Sequence, residues 1–197
     1  IWKRDAAFGT LDDQHQGRRQ MKLVIELPPR EELLRQNRLR WAQVVADRTL
    51  ANLPFRVETN RDGVLLMTPP PSGDHSDRQS QILLRLNQEL GGRVLAECPV
   101  STIDGVRAAD VGWYSVERFA QVKGQVAFDV APEICVEVIS PSNTDSEMAS
   151  KKQLYFEAGA EEVWFCRVDG RMQFYGNQTP DAPINQSRRC PNFPSEI

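Results

Sequence analysis

The sequence predicts an α/β fold in a single domain, on the basis of length, composition and hydrophobic pattern. A chain of 197 residues is long enough for one domain with a sizeable core. With 40% hydrophobic and 26% charged residues, the composition is typical of a globular protein and excludes a disordered or fibrous one. Short apolar runs typical of strands alternate with segments that have apolar residues at helical spacing. This alternation indicates helices packed on a β-sheet.

The N-terminal part of the chain divides at Met21. Residues 1–20 show no sustained hydrophobic period, whereas Met21 opens the apolar stretch MKLVIELPP. We expect residues 1–20 to be a disordered segment or one foreign to the native protein, and a mobile basic arm is the alternative. Residues 21–197 are expected to form the single domain.

Helices and a hairpin are predicted in the next part of the chain. Apolar residues recur near helical spacing over residues 30–50, which predicts one or two helices. Segments 55–58 and 64–67 are β-prone and flank Asp62-Gly63, a dipeptide typical of a tight reversal. We therefore expect a β-hairpin that ends near Met67.

A helix and a series of strands are predicted after the hairpin. The run TPPPSGDH is expected to be a loop, and the amphipathic helix that follows it ends at Gly91-Gly92. A second helix is expected over residues 146–158. Strands are expected at residues 93–100, 106–114, 133–139, 162–168 and 171–175.

Composition also excludes several functional classes. No apolar run approaches the roughly 20 residues of a membrane-spanning helix, so we expect a cytoplasmic protein without a membrane partner. The four cysteines are widely spaced, which argues against a zinc site or a disulfide framework. Lys plus Arg total 24 against 27 Asp plus Glu, a net charge of −3, so any contact with nucleic acid must come from local basic patches.

Two carboxylates lie in apolar, strand-like surroundings. Glu137 belongs to the run EICVEVI, and Asp110 belongs to AADVGWY. An ionised carboxylate removed from water costs several kcal/mol unless it is paired, hydrogen-bonded or bound to a metal. If adjacent strands bring the two acids together, a shared divalent cation would reverse their repulsion. Oxygen ligands without clustered His or Cys favour magnesium or manganese.

The helix after residue 145 supplies a third candidate, Lys151. Helical spacing from Met148 places Lys151 on one apolar face with Leu154 and Tyr155, whereas Lys152 projects elsewhere and is expected to be solvated. A lysine beside a metal can orient the attacking water and stabilise charge on a phosphate. The structural alternative is a lysine whose stem lies over core residues. Tyr155 is expected to serve packing, and His75 to lie in an exposed loop without a role.

Several stretches resemble one nuclease family. APEICVEVISPSNT, followed by SKKQLYFEAGAEEVWF, resembles the signature of the Uma family of restriction endonucleases, a branch of the PD-(D/E)xK superfamily. FRVETNRDGVLLMTPPPSG resembles the family's glutamate-bearing hairpin and Met-Ser/Thr-Pro loop, and VRAADVGWY resembles its Pro-Asp strand. The resemblance covers about residues 53–176. It implies a restriction-endonuclease-like fold, in which helices flank a mixed central β-sheet.

The same resemblance implies roles for three residues. Asp110 and Glu137 would bind the catalytic metal, and Lys151 would serve as the superfamily's lysine, moved onto the helix. Position 139, where the usual motif has lysine, is Ile139. Ala109 stands where the family has proline, which puts only local geometry in doubt because proline stiffens the backbone and ligates nothing.

Two further positions match the family with their roles left open. Glu58 matches an acidic position, and it would either help to bind the metal or form a structural salt bridge. Arg78 matches a basic position after the loop. It would contact phosphate or pair with an acid such as Glu58, and the pairing is the favoured expectation.

We therefore expect an endonuclease that hydrolyses DNA phosphodiester bonds with Mg²⁺ or Mn²⁺ as cofactor. The superfamily implies DNA as the partner and a homodimer as the assembly. Two alternatives stay open. One is a non-cleaving nucleic-acid-binding or regulatory module with the same fold, and the other is a structural or interaction domain in which Lys151 pairs with Glu137 or Asp110.

Overall fold

The computed structural model describes residues 28–197, so the expectations for residues 1–20 and for Met21 lie outside the described residues. The helices are α1 (Arg30–Ala46), α2 (Arg48–Ala51), α3 (Gly73–Leu90), α4 (Val116–Val122) and α5 (Asp145–Glu157). The strands are β1 (Arg56–Thr59), β2 (Leu65–Thr68), β3 (Arg93–Thr102), β4 (Gly105–Tyr114), β5 (Ile134–Val138), β6 (Glu162–Cys166), β7 (Met172–Gly176) and β8 (Pro183–Ile184).

A mixed sheet of six strands forms the centre of the molecule, in the order β3-β4-β5-β6-β7-β8. Only β5 and β6 pair in parallel, and the other neighbours in this sheet are antiparallel. Parallel neighbours require a crossover, and α5 lies in the connection from β5 to β6. The crossover places α5 beside the end of β5, where Glu137 lies. Strands β1 and β2 form a separate antiparallel hairpin.

Two apolar layers cover the two faces of the sheet. Residues Met148 and Tyr155 of α5 pack in one layer with Cys135 and Phe165. On the other face, α3 packs in a layer with Val136 and Trp164, and the C-terminal segment completes it. Burying both faces explains why the central strands read as continuous apolar runs. The predicted α/β architecture, with helices on both sides of a mixed sheet, is confirmed.

Helix α1 docks on the β3-β4 end of the sheet through polar and apolar contacts. The buried amide of Asn37 donates to the carbonyl of Thr102 over 2.8 Å. Trp41 packs against Val106 and Ala127. These contacts fix α1 and the short α2 that follows it, and both helices contribute to the wall of the cavity described below. No helix within residues 28–197 combines the length and apolarity needed to span a bilayer.

The observed elements depart from the predicted ones in three places. Helix α3 begins at Gly73, inside the expected loop, because the hydroxyl of Ser72 accepts from the backbone N–H of His75 and caps the helix. Helix α4 was not predicted, since its seven residues are too few to show a hydrophobic period. Strand β8 was missed as well, because it has two residues and depends on pairing with β7.

Candidate active site

The residues proposed for catalysis line one cavity of about 580 Å³. Asp110 reaches it from β4, Glu137 from β5 and Lys151 from α5, and Glu58 enters from β1. Apolar residues also line the cavity: Trp41, Val44, Val45, Leu50, Ala51 and Pro69–Pro71. The fold therefore brings together acids from three different strands and a lysine from the crossover helix.

Glu137 is buried and held by two side chains of α5. Its Oε2 lies 3.1 Å from Lys151 Nζ, and its Oε1 accepts a hydrogen bond of 2.6 Å from the hydroxyl of Tyr155. The pKa of Glu137 is raised to about 7, mainly because the carboxyl group is buried. The charge of Lys151 lowers this pKa, whereas the charges of Asp110 and Glu58 raise it further. A carboxyl with this pKa exchanges its proton near neutral pH.

Lys151 lies between two carboxylates. Its Nζ is 3.0 Å from Glu58 Oε1 and 3.1 Å from Glu137 Oε2. Burial alone would lower the pKa of Lys151, but the charges of Glu137 and Glu58 outweigh burial and raise it. The ammonium group therefore stays charged at neutral pH. The neighbouring Lys152 contacts the ring of Tyr175 and the carbonyl of Pro180, outside the cavity, as expected for a lysine on another face.

Asp110 is buried and receives donors from three directions. Its Oδ1 pairs with Arg56 at 2.5 Å, and its Oδ2 accepts from the backbone N–H of Val138 at 2.7 Å. His75 Nε2 lies 3.3 Å from the same Oδ2. Burial would raise the pKa of Asp110, but the hydrogen bond from His75 and the charge of Arg56 hold it below the ordinary value. Asp110 is thus ionised when Glu137 is half protonated.

The two positions left open by the sequence fall in different places. Glu58 pairs with Lys151 and with Arg107, and its Oε1 also accepts from the backbone N–H of Ala108. Arg78 instead donates to the carbonyl of Arg167 over 3.2 Å. The expected pairing of Arg78 with Glu58 is wrong, because α3 directs Arg78 toward the segment after β6.

The structure also corrects the interpretation of His75 and extends that of Tyr155. His75 is buried in the first turn of α3 and contacts Asp110, although an exposed loop was expected. A signal was present, because His75 lies seven residues before Ile82, on the apolar face of the helix. Tyr155 packs in the core as predicted, and its hydroxyl also binds Glu137. The lysine-tyrosine spacing of four residues was the available signal.

Three charged residues that line the cavity, Arg56, Glu97 and Glu147, were not singled out from the sequence. Arg56, on β1, pairs with Asp110 and also with Glu97. Glu97, on β3, accepts a hydrogen bond of 2.9 Å from Gln79. The same Gln79 amide donates to the backbone carbonyl of Asp110 over 2.7 Å. Glu97 stands in the apolar run VLAECPV, a signal of the same kind as for Asp110 and Glu137, whereas nothing in the local sequence singled out Arg56.

Glu97 has an unusual backbone conformation at this point. Its φ of 50° is the only positive value at a non-glycine position within residues 28–197. Such a conformation costs on the order of 1–3 kcal/mol and persists only where the surrounding structure enforces it. On the adjacent strand, Ala109 and Val111 pack in opposite core layers, although residues two apart in a regular strand share a face. Both strands are therefore irregular where Glu97 lies beside Asp110.

The donor set of the cavity fits a hard divalent cation. No group of three or more His, Cys, Asp or Glu side chains in the described part of the chain is arranged as a metal-binding cluster. Mg²⁺ does not require one, because it usually takes one or two protein carboxylates and keeps several waters. Asp110 and Glu137 are close enough for the charge of one to raise the pKa of the other. A divalent cation between them would be favoured by that repulsion.

Comparisons with known proteins agree with this description. The family model Uma2, described as "Putative restriction endonuclease", matches residues 45–185. No curated protein matches the chain. Among solved structures, a crystal structure of "a putative nuclease belonging to DUF820" from Anabaena variabilis matches with a TM-score of 0.59 and 18% identity, covering 74% of this chain and 91% of that chain. The likeness confirms the predicted restriction-endonuclease-like fold.

Proposed function

This chain belongs to the Uma2 family, and on that premise we propose that it is a nuclease that hydrolyses DNA phosphodiester bonds with Mg²⁺ or Mn²⁺. The observation that carries the proposal is the position of Lys151, charged and held between Glu58 and Glu137 in the cavity that contains Asp110. Carboxylates that hold a cation beside a charged lysine are the chemical groups that phosphodiester hydrolysis needs.

The charge of the cavity supports a requirement for a cation. Five carboxylates line it, against the two permanent cations of Arg56 and Lys151. A phosphodiester brings a further negative charge, so the protein groups alone would repel it. The acids are Glu58, Glu97, Asp110, Glu137 and Glu147. Asp110 and Glu137 would hold the metal, which when bound supplies a Lewis acid that neutralises charge on the phosphate.

The residues of the chain have separate tasks in the hydrolysis. Lys151 donates from its ammonium group to the attacking water or to a phosphate oxygen, which orients the water and stabilises the negative charge that develops. The water oxygen forms a bond to phosphorus as the bond from phosphorus to the bridging oxygen breaks, and the proton that the water loses passes through solvent to the oxygen that leaves. Tyr155 orients Glu137 through its hydroxyl, and His75 orients Asp110.

A homodimer is the assembly that we propose for double-strand cleavage. Asp110, Glu137 and Lys151 form one active site per chain, whereas cutting both strands of a duplex requires two hydrolysis events. Sedimentation velocity with and without duplex DNA tests the proposal. A monomer under both conditions would contradict it and would leave single-strand nicking as the expected activity.

A second function is favoured by one observation: cations of the protein itself pair with the cavity acids. Arg56 neutralises Asp110, and Lys151 neutralises Glu137. A permanent structural network would have the same pairs, in a domain that binds nucleic acid or protein without cutting. That function predicts no binding of divalent cations, whereas the nuclease requires it.

The test is calorimetric titration of Mg²⁺ and Mn²⁺ into the wild type, Asp110→Asn and Asp104→Asn, followed by plasmid nicking. Asp104 is the matched control, because its carboxylate pairs with Arg61 and Arg107 and is absent from the lining of the cavity. We expect Asp110→Asn to lose metal binding and nicking together, and Asp104→Asn to retain both. A wild type that binds neither metal would overturn the nuclease and leave the structural network.

A further inference from the structure

Arg56 is placed between two carboxylates of unequal exposure. Its Nη2 contacts Oδ1 of Asp110 and Oε2 of Glu97. The side chain of Asp110 is 3% exposed and that of Glu97 is 43% exposed. Arg56 therefore neutralises a buried acid while it is held from the solvent side by a second acid.

Glu97 is brought to this position by an irregular backbone. A positive φ in the interior of β3 is unfavourable for a glutamate, and the contacts around it maintain that conformation. Gln79 donates to Oε1 of Glu97 and Arg56 pairs with Oε2, so both carboxylate oxygens have partners. The irregular backbone therefore places the carboxylate of Glu97 where it binds the guanidinium group of Arg56.

The pairing of Arg56 with Asp110 conflicts with the proposed metal role of Asp110. A cation at Asp110 and the guanidinium group would compete for the same oxygen, and the two positive charges would repel each other. Glu97 can still pair with Arg56 when a cation is bound to Asp110. The planar guanidinium group then has N–H donors to bind a phosphate in two-point fashion.

Resting on the proposed function, we infer that Arg56 is displaced from Asp110 by the divalent cation and then binds the DNA phosphate, held in the cavity by Glu97. Arg56 is on this view a catalytic residue that contacts substrate, and Glu97 is a positioning residue that acts through it. A purely structural Arg56 would have the opposite relation to the metal, since its loss would disturb Asp110 and weaken metal binding.

The experiment compares metal affinity and cleavage kinetics for the wild type, Arg56→Gln and Arg61→Gln. Arg61 is the matched control, because it loses the same charge on the same hairpin but pairs with Asp104. Calorimetry is expected to show Mg²⁺ binding about three- to ten-fold tighter in Arg56→Gln and unchanged in Arg61→Gln. At saturating Mg²⁺, Arg56→Gln is expected to raise KM for DNA at least about ten-fold.

Two further variants keep the inference falsifiable if Arg56→Gln does not fold. Arg56→Lys retains the charge and is expected to bind Mg²⁺ like the wild type, but to raise KM because an ammonium group lacks the two-point geometry. Glu97→Gln is expected to raise KM with little change in kcat. That effect should disappear in a background that already lacks Arg56, as a double-mutant cycle would show.

The possible outcomes separate the inference from the proposed function. Mg²⁺ binding by the wild type with no tightening in Arg56→Gln would overturn the inference and leave the nuclease proposal standing. Binding only by Arg56→Gln would also contradict the inference, because the cation would then fail to displace Arg56 from Asp110 in the wild type. Absence of binding in every variant would overturn both.

Discussion

At the scale of single residues, two acids of one cavity have opposite pKa shifts because their surroundings differ. Burial acts on both. Asp110 has His75, Arg56 and the N–H of Val138 around its oxygens, so its pKa is lowered. Glu137 has Lys151 and Tyr155, but burial together with the charges of Asp110 and Glu58 prevails and its pKa is about 7. Different titration of neighbouring acids is typical of active sites.

The affinity for Mg²⁺ is expected to rise with pH through about 7, the pKa of Glu137. A protonated Glu137 must release its proton before it can bind a cation, so the proton competes with the metal below that pH. Calorimetry between roughly pH 6 and pH 8 should show affinity rising by up to about ten-fold per unit and then levelling off. An affinity that is flat over this range would mean that Glu137 is not a ligand.

Tyr155→Phe is expected to shift this pH dependence to higher pH. The hydroxyl donates to Oε1 of Glu137 over 2.6 Å and lowers the pKa that burial raises. Without the donor, the ionised form of Glu137 is less stable, and about 1 kcal/mol of hydrogen-bond energy corresponds to somewhat under one pH unit. The ring remains, so packing changes little. Tyr175→Phe, on strand β7, is the matched control and should leave the midpoint unchanged.

At the scale of elements, α5 joins the core to the site. Thr144 caps the helix by accepting from the N–H of Glu147, and Met148 and Tyr155 pack in the layer beneath it. Lys151 lies between these two core positions on the same face and reaches Glu137. A residue held by the packing of its own helix has little freedom, which is a requirement for orienting a water molecule.

Lys151→Ala is expected to lower kcat by about 100-fold or more, since it removes the donor that stabilises charge on the phosphate. Lys152→Ala should keep wild-type cleavage, because Lys152 contacts Tyr175 and Pro180 outside the cavity. Plasmid nicking measures the first effect. Calorimetry should show that Lys151→Ala still binds Mg²⁺, because Asp110 and Glu137 remain. Equal cleavage by both variants would remove Lys151 from the mechanism.

The hairpin that contains Arg56 and Glu58 is fixed to the sheet through Gly105. Gly105 has a φ of +89°, and a Cβ there would lie 2.2 Å from the carbonyl oxygen of Thr59. Gly105→Ala is expected to lower the free energy of unfolding by about 2–4 kcal/mol, through the clash and the backbone conformation together. Gly124→Ala is the control, because Gly124 has a φ of +87° and open space around it. Its loss of stability measures the cost of the backbone conformation without a clash. Chemical denaturation of both alanine variants measures the difference, and equal losses would exclude the clash.

At the scale of the whole molecule, the negative charge of the protein disfavours the binding of DNA in the absence of a cation. The net charge is −3, and acids outnumber permanent cations in the cavity. Long-range attraction for a polyanion is therefore weak. On the proposed function, a bound divalent cation would reduce the net negative charge of the cavity that the phosphate approaches. Binding of the cofactor and of the DNA should consequently be coupled.

DNA affinity is expected to increase about ten-fold or more when Mg²⁺ is added. Fluorescence anisotropy of a labelled duplex with Lys151→Ala, which should not cut, compares EDTA with saturating Mg²⁺. The control is Lys151→Ala combined with Asp110→Asn, in which Mg²⁺ should have no effect. Equal affinity in EDTA and Mg²⁺ would show that DNA is bound elsewhere on the surface.

Much of the fold was determined by the sequence alone. Periodicity of apolar residues reports burial directly, so it predicted the strands around Asp110 and Glu137 and the helix of Lys151. The presence of acids within apolar strands, and a lysine on an apolar helix face, are local signals of the same kind. They were sufficient to nominate the three residues that line one cavity. Short elements such as β8 escaped because they have too few residues to show a period.

Only the tertiary structure decided which residues surround the acids. Arg56 and Asp110 are 54 positions apart, and their contact depends on how the hairpin docks on the sheet. The positive φ of Glu97 lies opposite the irregular part of β4, where Ala109 and Val111 pack in different core layers. His75 joins the site because Ser72 starts α3 earlier than its apolar period indicates. The local pattern of apolar residues predicts how deeply a residue is buried. Its contact partners depend on strand register and on how segments distant in the sequence pack together.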